Sequence, residues 1–295
     1  MSSDHIHRFI FDNTDIRGEI VTLNESIQAQ QERLKLPAPV QALLGEFIAA
    51  AALMSSTLKF KGVFTLQARG NGAVPLMMAE VRNNQLLRGI ATLSEEHGEG
   101  QGIDENTPAF LPNLIGDKGI LSITLDPDEG ERYQGIVPLD APSLAECVEH
   151  YFAQSEQLPT KIWLSSSPTT ASGLFIQMMP QQVADEQTNQ EAWNHRIQLA
   201  NTITAEELLT LEHEKLLTRL FHEDGVRMYE PIPLRFECSC SKARCSQALI
   251  QLGESEMQSI IQEQGSVHVD CQFCGYQYEY NQDDIATLFS PPTTH

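Results

Sequence analysis

Apolar residues in the first part of the chain fall into short runs bounded by turn signals. Arg8-Phe9-Ile10-Phe11 and Glu19-Ile20-Val21-Thr22-Leu23 are rich in the Ile, Val, Phe and Thr that favour extended backbone, so both read as strands. Pro37 and Pro39 stand where a helix can begin. Residues 40–58 are Ala- and Leu-rich with Glu46 as the only charge, which predicts a largely buried helix. Residues 63–68 and 75–81 flank Gly70-Asn71-Gly72, which is strong hairpin chemistry, and Asn83-Asn84 makes a second turn into 86–93. Residues 94–111 are polar and Gly-rich. Within them Gly98, Gly100 and Gly102 have the spacing of a phosphate cradle, but no helix-forming sequence follows and the stretch is acidic, so a loop is expected. Residues 120–125 and 133–139 make another hairpin across Asp126-Pro127-Asp128-Glu129-Gly130. Ser143-x-x-Glu146 is a capping box opening a helix to about Gln154, and 161–164 and 173–179 are the last strands of this part. A mixed, mostly antiparallel sheet with few helices is an α+β arrangement.

After Pro180 the pattern changes. Residues 181–190 are polar and without strand formers, which reads as a linker. A second capping box, Thr204-x-x-Glu207, then opens a helical segment in which Leu208, Leu209, Leu211, Leu216, Leu217, Leu220 and Phe221 recur at helical spacing among charges. Such a stripe needs a cover. Residues 225–236, with Pro231 and Pro233, are extended. The final segment offers short helices at 241–252 and 254–264, strands at 267–270 and 276–280, and a closing helix at 283–289. Three parts are expected: an α+β domain over 1–180, a helical linker over 181–236 and a small cysteine-rich domain over 237–295.

Composition narrows the function. A net charge of -21 argues against a phosphate-binding surface. From Glu237 onward only Lys242 and Arg244 oppose eight Asp and Glu, so nucleic acid is not an expected partner. Residues 1–8 lack a basic stretch followed by an apolar run, and the most apolar stretch, 47–54, is too short to span a bilayer, so a soluble cytoplasmic protein is expected, with no membrane partner. There is no His-Glu-x-x-His, no Gly-x-Ser-x-Gly and no Gly-x-x-x-x-Gly-Lys, and nothing in the sequence suggests catalysis.

Four of the six cysteines form two close pairs, Cys238-Ser239-Cys240 and Cys271-Gln272-Phe273-Cys274. Two thiol pairs joined by a loop of this length have the layout of a tetrahedral zinc site with one Zn2+ per chain. Zinc ribbons usually space both pairs as Cys-x-x-Cys, so Cys238 and Cys240 are unusual: they can share a metal or close on each other. Plain structural zinc and redox-sensing zinc both fit the spacing. Three features point toward sensing: the Cys-x-Cys pair, a fifth thiol at Cys245, and the leucine stripe upstream as something to release. Cys245 reads as a spare ligand or a helix cysteine, and Cys147, alone on its capped helix, as a small core hydrophobe. His213 and His222 lie nine apart, not at the spacing of a helical metal site, and read as solvated or packed histidines; His5 and His7 share one face of a possible strand, and metal binding there is not the expected reading. His268 lies close to Cys271, but four thiolates already fill a zinc site. An alternative from the enzyme class is a thiol–disulfide oxidoreductase using Cys271 and Cys274, although the surrounding sequence lacks the βαβ pattern expected of one.

Over nearly its whole length the sequence resembles a known family, the redox-regulated heat-shock chaperones called 33 kDa chaperonins. The resemblance rests on Gly130-Glu-Arg-Tyr-Gln-Gly-Ile-Val-Pro-Leu139, Ser143-Leu-Ala-Glu-Cys-Val-Glu-His-Tyr-Phe152, Leu76-Met-Met-Ala-Glu-Val-Arg-Asn-Asn-Gln-Leu-Leu-Arg-Gly89, and the two cysteine pairs. Lys242-Ala243-Arg244 replaces an Arg-Glu-Arg often found in that family, a change read as neutral. The resemblance implies an ATP-independent holdase, not an enzyme, active under oxidative stress and inactive when reduced and zinc-bound. It implies that oxidation forms the disulfides Cys238–Cys240 and Cys271–Cys274, releases zinc, unfolds the C-terminal region and linker, and exposes apolar surface to unfolding client proteins. The active form would be a homodimer, and the stripe of Leu208, Leu209, Leu216, Leu217, Leu220 and Phe221 is the candidate surface to be uncovered.

Overall fold

A computed structural model describes residues 4–94, 103, 110–116 and 118–290. The glycines at 98, 100 and 102 lie outside the described residues. The chain divides into two units, Met1–Glu237 and Cys238–His295.

The first unit opens with β1 (His5–Phe11), β2 (Ile16–Leu23), α1 (Glu25–Gln31) and α2 (Ala38–Ser56). Pro37 and Pro39 flank the start of α2, where a missing N–H costs nothing. Then come β3 (Gly62–Arg69), β4 (Leu76–Arg82), β5 (Leu86–Thr92), the short α3 (Leu111–Ile115), β6 (Ile120–Pro127) and β7 (Tyr133–Pro138). Asn83 and Asn84 both adopt the left-handed conformation that the turn between β4 and β5 requires. Next follow α4 (Leu144–Tyr151), prolonged by a π turn at Phe152–Glu156, then β8 (Thr160–Ser166) and β9 (Ala171–Met178). Ser143 and Glu146 cap α4 reciprocally. After Pro180 the chain adds α5 (Glu186–Ala200), α6 (Ala205–Thr210), α7 (His213–Phe221) and three short strands, β10 (Val226–Met228), β11 (Ile232–Pro233) and β12 (Arg235–Phe236).

These strands make two six-stranded sheets rather than one. The first runs β10-β1-β2-β9-β8 with β11 also on β1; the second runs β12-β5-β4-β3-β6-β7. Every pairing is antiparallel except β12 on β5. Helix α2 touches strands of both sheets, which is why it is apolar on nearly every side. By length and composition it could cross a bilayer, but here it is core. A Cβ at Gly45 would stand 2.1 Å from Ser166 Oγ and 3.0 Å from Ser166 Cβ, so glycine suits this close crossing of α2 over β8.

The first sheet is covered on both faces. One face, with Ile6, Val21, Leu23 and Phe175, joins the core around α2. The other carries Phe9, Phe11, Ile16, Ile20, Leu174 and Ile176 and packs against side chains of α6 and α7. Seven of the eight residues of β9 are therefore buried, where a one-faced strand would alternate.

Two helices depart from the sequence expectation. Residues 186–190, read as linker, begin α5, because Asp185 accepts from Thr188 N at 2.7 Å and caps it. Helix α1 carries no local cap. Its free N–H groups are instead satisfied from twenty residues away, where the Asp4 carboxylate accepts from Asn24, Glu25 and Ser26 at 2.6–2.9 Å.

The second unit contains α8 (Lys242–Leu252), α9 (Glu254–Gln264), the hairpin of β13 (Val267–Asp270) and β14 (Gln277–Tyr280), and α10 (Gln282–Phe289). Its core is small: among the described residues Leu249, Met257, Val267, Tyr280 and Ile285 are its buried apolar members besides Cys274.

Candidate metal centre

Two loops of the second unit bring four sulfurs together. Cys271 and Cys274 sit on the tight turn between β13 and β14, where Gly275 N donates to Cys271 O at 2.7 Å and Cys271 N to Tyr276 O at 2.9 Å. Gly275 takes the left-handed conformation that lets this knuckle close. Cys238 and Cys240 lie on the strand-like stretch entering α8. Ser241 caps that helix, and Arg244 reaches back to donate to Ser239 O at 2.9 Å and Ser239 Oγ at 2.8 Å, fixing the Cys-x-Cys bend. Lys242 lies 4.9 Å over the Tyr280 ring and pairs with Asp284 at 3.1 Å. Arg244 thus braces the residue between Cys238 and Cys240, while Lys242 ties the start of α8 to β14 and α10.

All four thiols are free, and their sulfurs lie within 4.8 Å of one another. Sulfur–sulfur contacts run across the two loops: Cys238 to Cys271 and Cys240 to Cys274, each 3.5 Å. A tetrahedral zinc with four sulfurs at about 2.3 Å needs S···S edges of about 3.8 Å. The set therefore fits such an ion in number, softness and span. Burial pushes the Cys274 thiol well up and raises Cys238 as well. Burial also acts on Cys240, but the Tyr278 hydroxyl, which donates to its sulfur at 3.1 Å, together with the neighbouring sulfurs outweighs it and leaves that thiol lowered. Cys245, on α8, packs beside the small core and is not one of the four grouped sulfurs. Cys147 is fully buried in the first unit.

The leucine stripe lies in the first unit, already covered. Leu208, Leu216, Leu217, Leu220 and Phe221 are buried against the outer face of the first sheet, and Leu209 is half-buried. Its cover is the sheet of its own unit, so uncovering it requires these helices to lift from β1, β2 and β9. Polar clamps hold them as well. The Asp15 carboxylate accepts from Val183 N, Ala184 N and Asn189 Nδ2 at 2.8–3.1 Å, and these bonds, Asn189's first, hold its pKa down at about 2. Arg196 pairs with Asp224 at 3.2 Å and stacks 4.2 Å over the Phe11 ring.

Sequence spacing missed one cluster. His5, His7 and His213 are brought together by β1 and the first turn of α7, with one ring nitrogen of each within 4.8 Å of the others. His213, expected to be solvated or packed, is buried, and its pKa is pushed down to about 2 by burial and by His5 and His7. The signal in the sequence was the i, i+2 pair at His5 and His7; its third member could not be found by local spacing.

Comparison with known proteins gives a consistent answer. A family model described as Hsp33 protein matches residues 4–281. The chain is 45% identical over 291 residues to a 33 kDa chaperonin of Pseudomonas paraeruginosa, covering 98% of this chain and 95% of that one. It is 47% identical over 290 residues to a 33 kDa chaperonin of Ectopseudomonas mendocina, covering 98% and 96%. Among solved structures, the 33 kDa chaperonin of Thermotoga maritima superposes with a TM-score of 0.78 at 22% identity, over 96% of this chain and 97% of that one, which bears on the fold.

Proposed function

The chain belongs to the Hsp33 family, and from that premise we propose that it is an ATP-independent holdase, inactive while its four clustered cysteines are reduced and switched on by their oxidation. The observation that carries the reading is the meeting of four unpaired sulfurs from two loops, in a unit whose apolar core is otherwise small. A zinc ion held by Cys238, Cys240, Cys271 and Cys274, one per chain, would supply the cross-tie between those loops, worth about 10–16 kcal/mol of apparent folding free energy in small zinc modules. That exceeds the net stability of many domains, so loss of the ligand set decides whether the unit folds.

Oxidation by a peroxide joins two thiols, their two electrons and two protons passing to the peroxide, whose O–O bond breaks to give two waters. The proposed pairs are Cys238 with Cys240 and Cys271 with Cys274. Each closes only a tiny loop and restrains almost nothing of the unfolded chain. The cross pairs, in contact at 3.5 Å, would instead keep the loops tied. Local pairing thus abolishes the thiolate site without replacing the tie, and the second unit melts. In this scheme 237–295 is the switch, 181–236 a metastable linker, and 1–180 the core that binds clients and forms the homodimer. Lifting α6 and α7 from the first sheet would expose two apolar faces at once, the stripe and the face bearing Phe9, Phe11, Ile20 and Leu174. Exposed apolar patches of that extent bind other proteins. A reducing compartment such as the cytoplasm would keep the switch closed between stresses.

The test is direct. Peroxide with mild heat should let the chain suppress aggregation of a heat-denatured test protein stoichiometrically and without ATP. Failure to suppress aggregation once four thiols are oxidised would sink the reading, and catalytic turnover of a dithiol substrate would favour an oxidoreductase instead.

A further inference from the structure

The three-histidine cluster plays no part in the function proposed above. His5 and His7 project from one face of β1, as residues two apart on a strand must, and His213 descends on them from the first turn of α7. Their ring centroids are 4.5–5.0 Å apart, and His7 Nδ1 lies 2.7 Å from His213 Nδ1. The polar chain behind His213 settles which of its nitrogens carries the proton. Ser172 Oγ donates to Val21 O at 2.6 Å, so its only proton is spent. Thr22 Oγ1, 3.2 Å from Ser172 Oγ, must then donate to it. With its own proton used, Thr22 Oγ1 can only accept from His213 Nε2, 2.9 Å away. His213 Nδ1 is therefore a bare lone pair aimed at His7. A ligating histidine whose other nitrogen donates to a fixed acceptor is how proteins hold an imidazole ready for a metal.

We propose that His5, His7 and His213 form a second metal site, for a divalent transition cation of the zinc class, which pins α7 to β1. Imidazole nitrogens suit such ions. A tetrahedral ion with nitrogen ligands at about 2.0–2.1 Å needs N···N edges of about 3.3 Å, so His7 and His213 part by about 0.6 Å on binding. The 2.7 Å contact and the 4.8 Å outer limit of the cluster bracket that edge. A cleft beside His7 also carries Glu230, whose charge acts on His7, so a carboxylate or water is at hand for the fourth position. The positive end of α7 opposes a cation. Glu212 and Glu214, at the same end of the helix, offset it.

The binding claim stands on the histidines alone. Its consequence, that bound metal opposes the lifting of α7, rests on the proposed release of the linker segment. Equilibrium dialysis of the reduced, full-length protein against zinc should give two equivalents per chain, and His7→Gln and His5→Gln, both at half-buried positions and checked for native circular dichroism, should give one. With cobalt, the second equivalent should lack the charge-transfer absorption of thiolate ligands. Thr22→Val, which frees the tautomer, should weaken the second equivalent by about 10–100-fold. A wild-type chain in which all bound cobalt shows thiolate charge transfer, or a thiolate-free equivalent that survives in both histidine variants, overturns the proposal. None of these readings involves a client protein, so failure here is separable from failure of the chaperone reading.

Discussion

Glu19 is a carboxyl shut off from solvent in the first unit. It lies on β2, fully buried, accepting from Ser56 Oγ at the end of α2, and burial raises its pKa to about 7. Glu46, on α2, is raised to about 7 by the same cause. A carboxyl whose folded pKa is raised favours folding below its unfolded pKa, and that advantage is lost as pH climbs through the folded value. For Glu19 the window runs from about pH 4.5 to about 7, and the cost above it approaches about 3 kcal/mol. Glu19→Gln should therefore be more stable than the wild type at pH 8 and gain little at pH 5, as thermal unfolding at the two pH values would show. Equal effects at both would contradict the assignment. Legibility at this scale depended on distance along the chain. Cys238, Cys240, Cys271 and Cys274 were legible because each pair is local and the chemistry of paired thiols is specific. Arg244, His213 and Asp15 were not, because each acts through a partner that only the fold supplies: Ser239 around a bend, His7 across the unit, and Val183, Ala184 and Asn189 beyond β9.

Among the elements, α7 bears most on the proposed switch. Its buried face is a run of Leu216, Leu217, Leu220 and Phe221 against a sheet that is also packed on its other side. Removing a buried leucine side chain costs about 2–5 kcal/mol, enough to shift a segment held near its own limit of stability. Leu220→Ala is expected to make residues 186–236 cleavable by protease in the reduced protein and to give partial chaperone activity without oxidant. A variant as resistant as the wild type, and inactive until oxidised, would mean that this packing does not hold the switch closed. The stripe was legible in the sequence from its helical period and its capping box. What it lay on was not, since β2 and β9 read as ordinary strands and their two-faced burial is a property of the assembled sheet. Helix α1 was missed for a related reason: the carboxylate that caps it belongs to Asp4.

In the whole molecule, a well-packed first unit contrasts with a second unit that combines a small apolar core with four clustered sulfurs. The α+β class followed from strand and turn signals. The division into two sheets did not, because the extended segment 225–236 contributes edge strands to both, and edge pairing leaves no mark in a run of two or three residues. The central claim is that oxidation of four cysteines unties the second unit, and its outcome depends on which sulfurs pair. The most direct measurement is a disulfide map of the peroxide-treated chain by peptide mass spectrometry. The account predicts Cys238 joined to Cys240 and Cys271 joined to Cys274. Cross-linked pairs of Cys238 with Cys271 and Cys240 with Cys274, whose sulfurs are in contact at 3.5 Å, would contradict it, because that pairing would hold the unit closed.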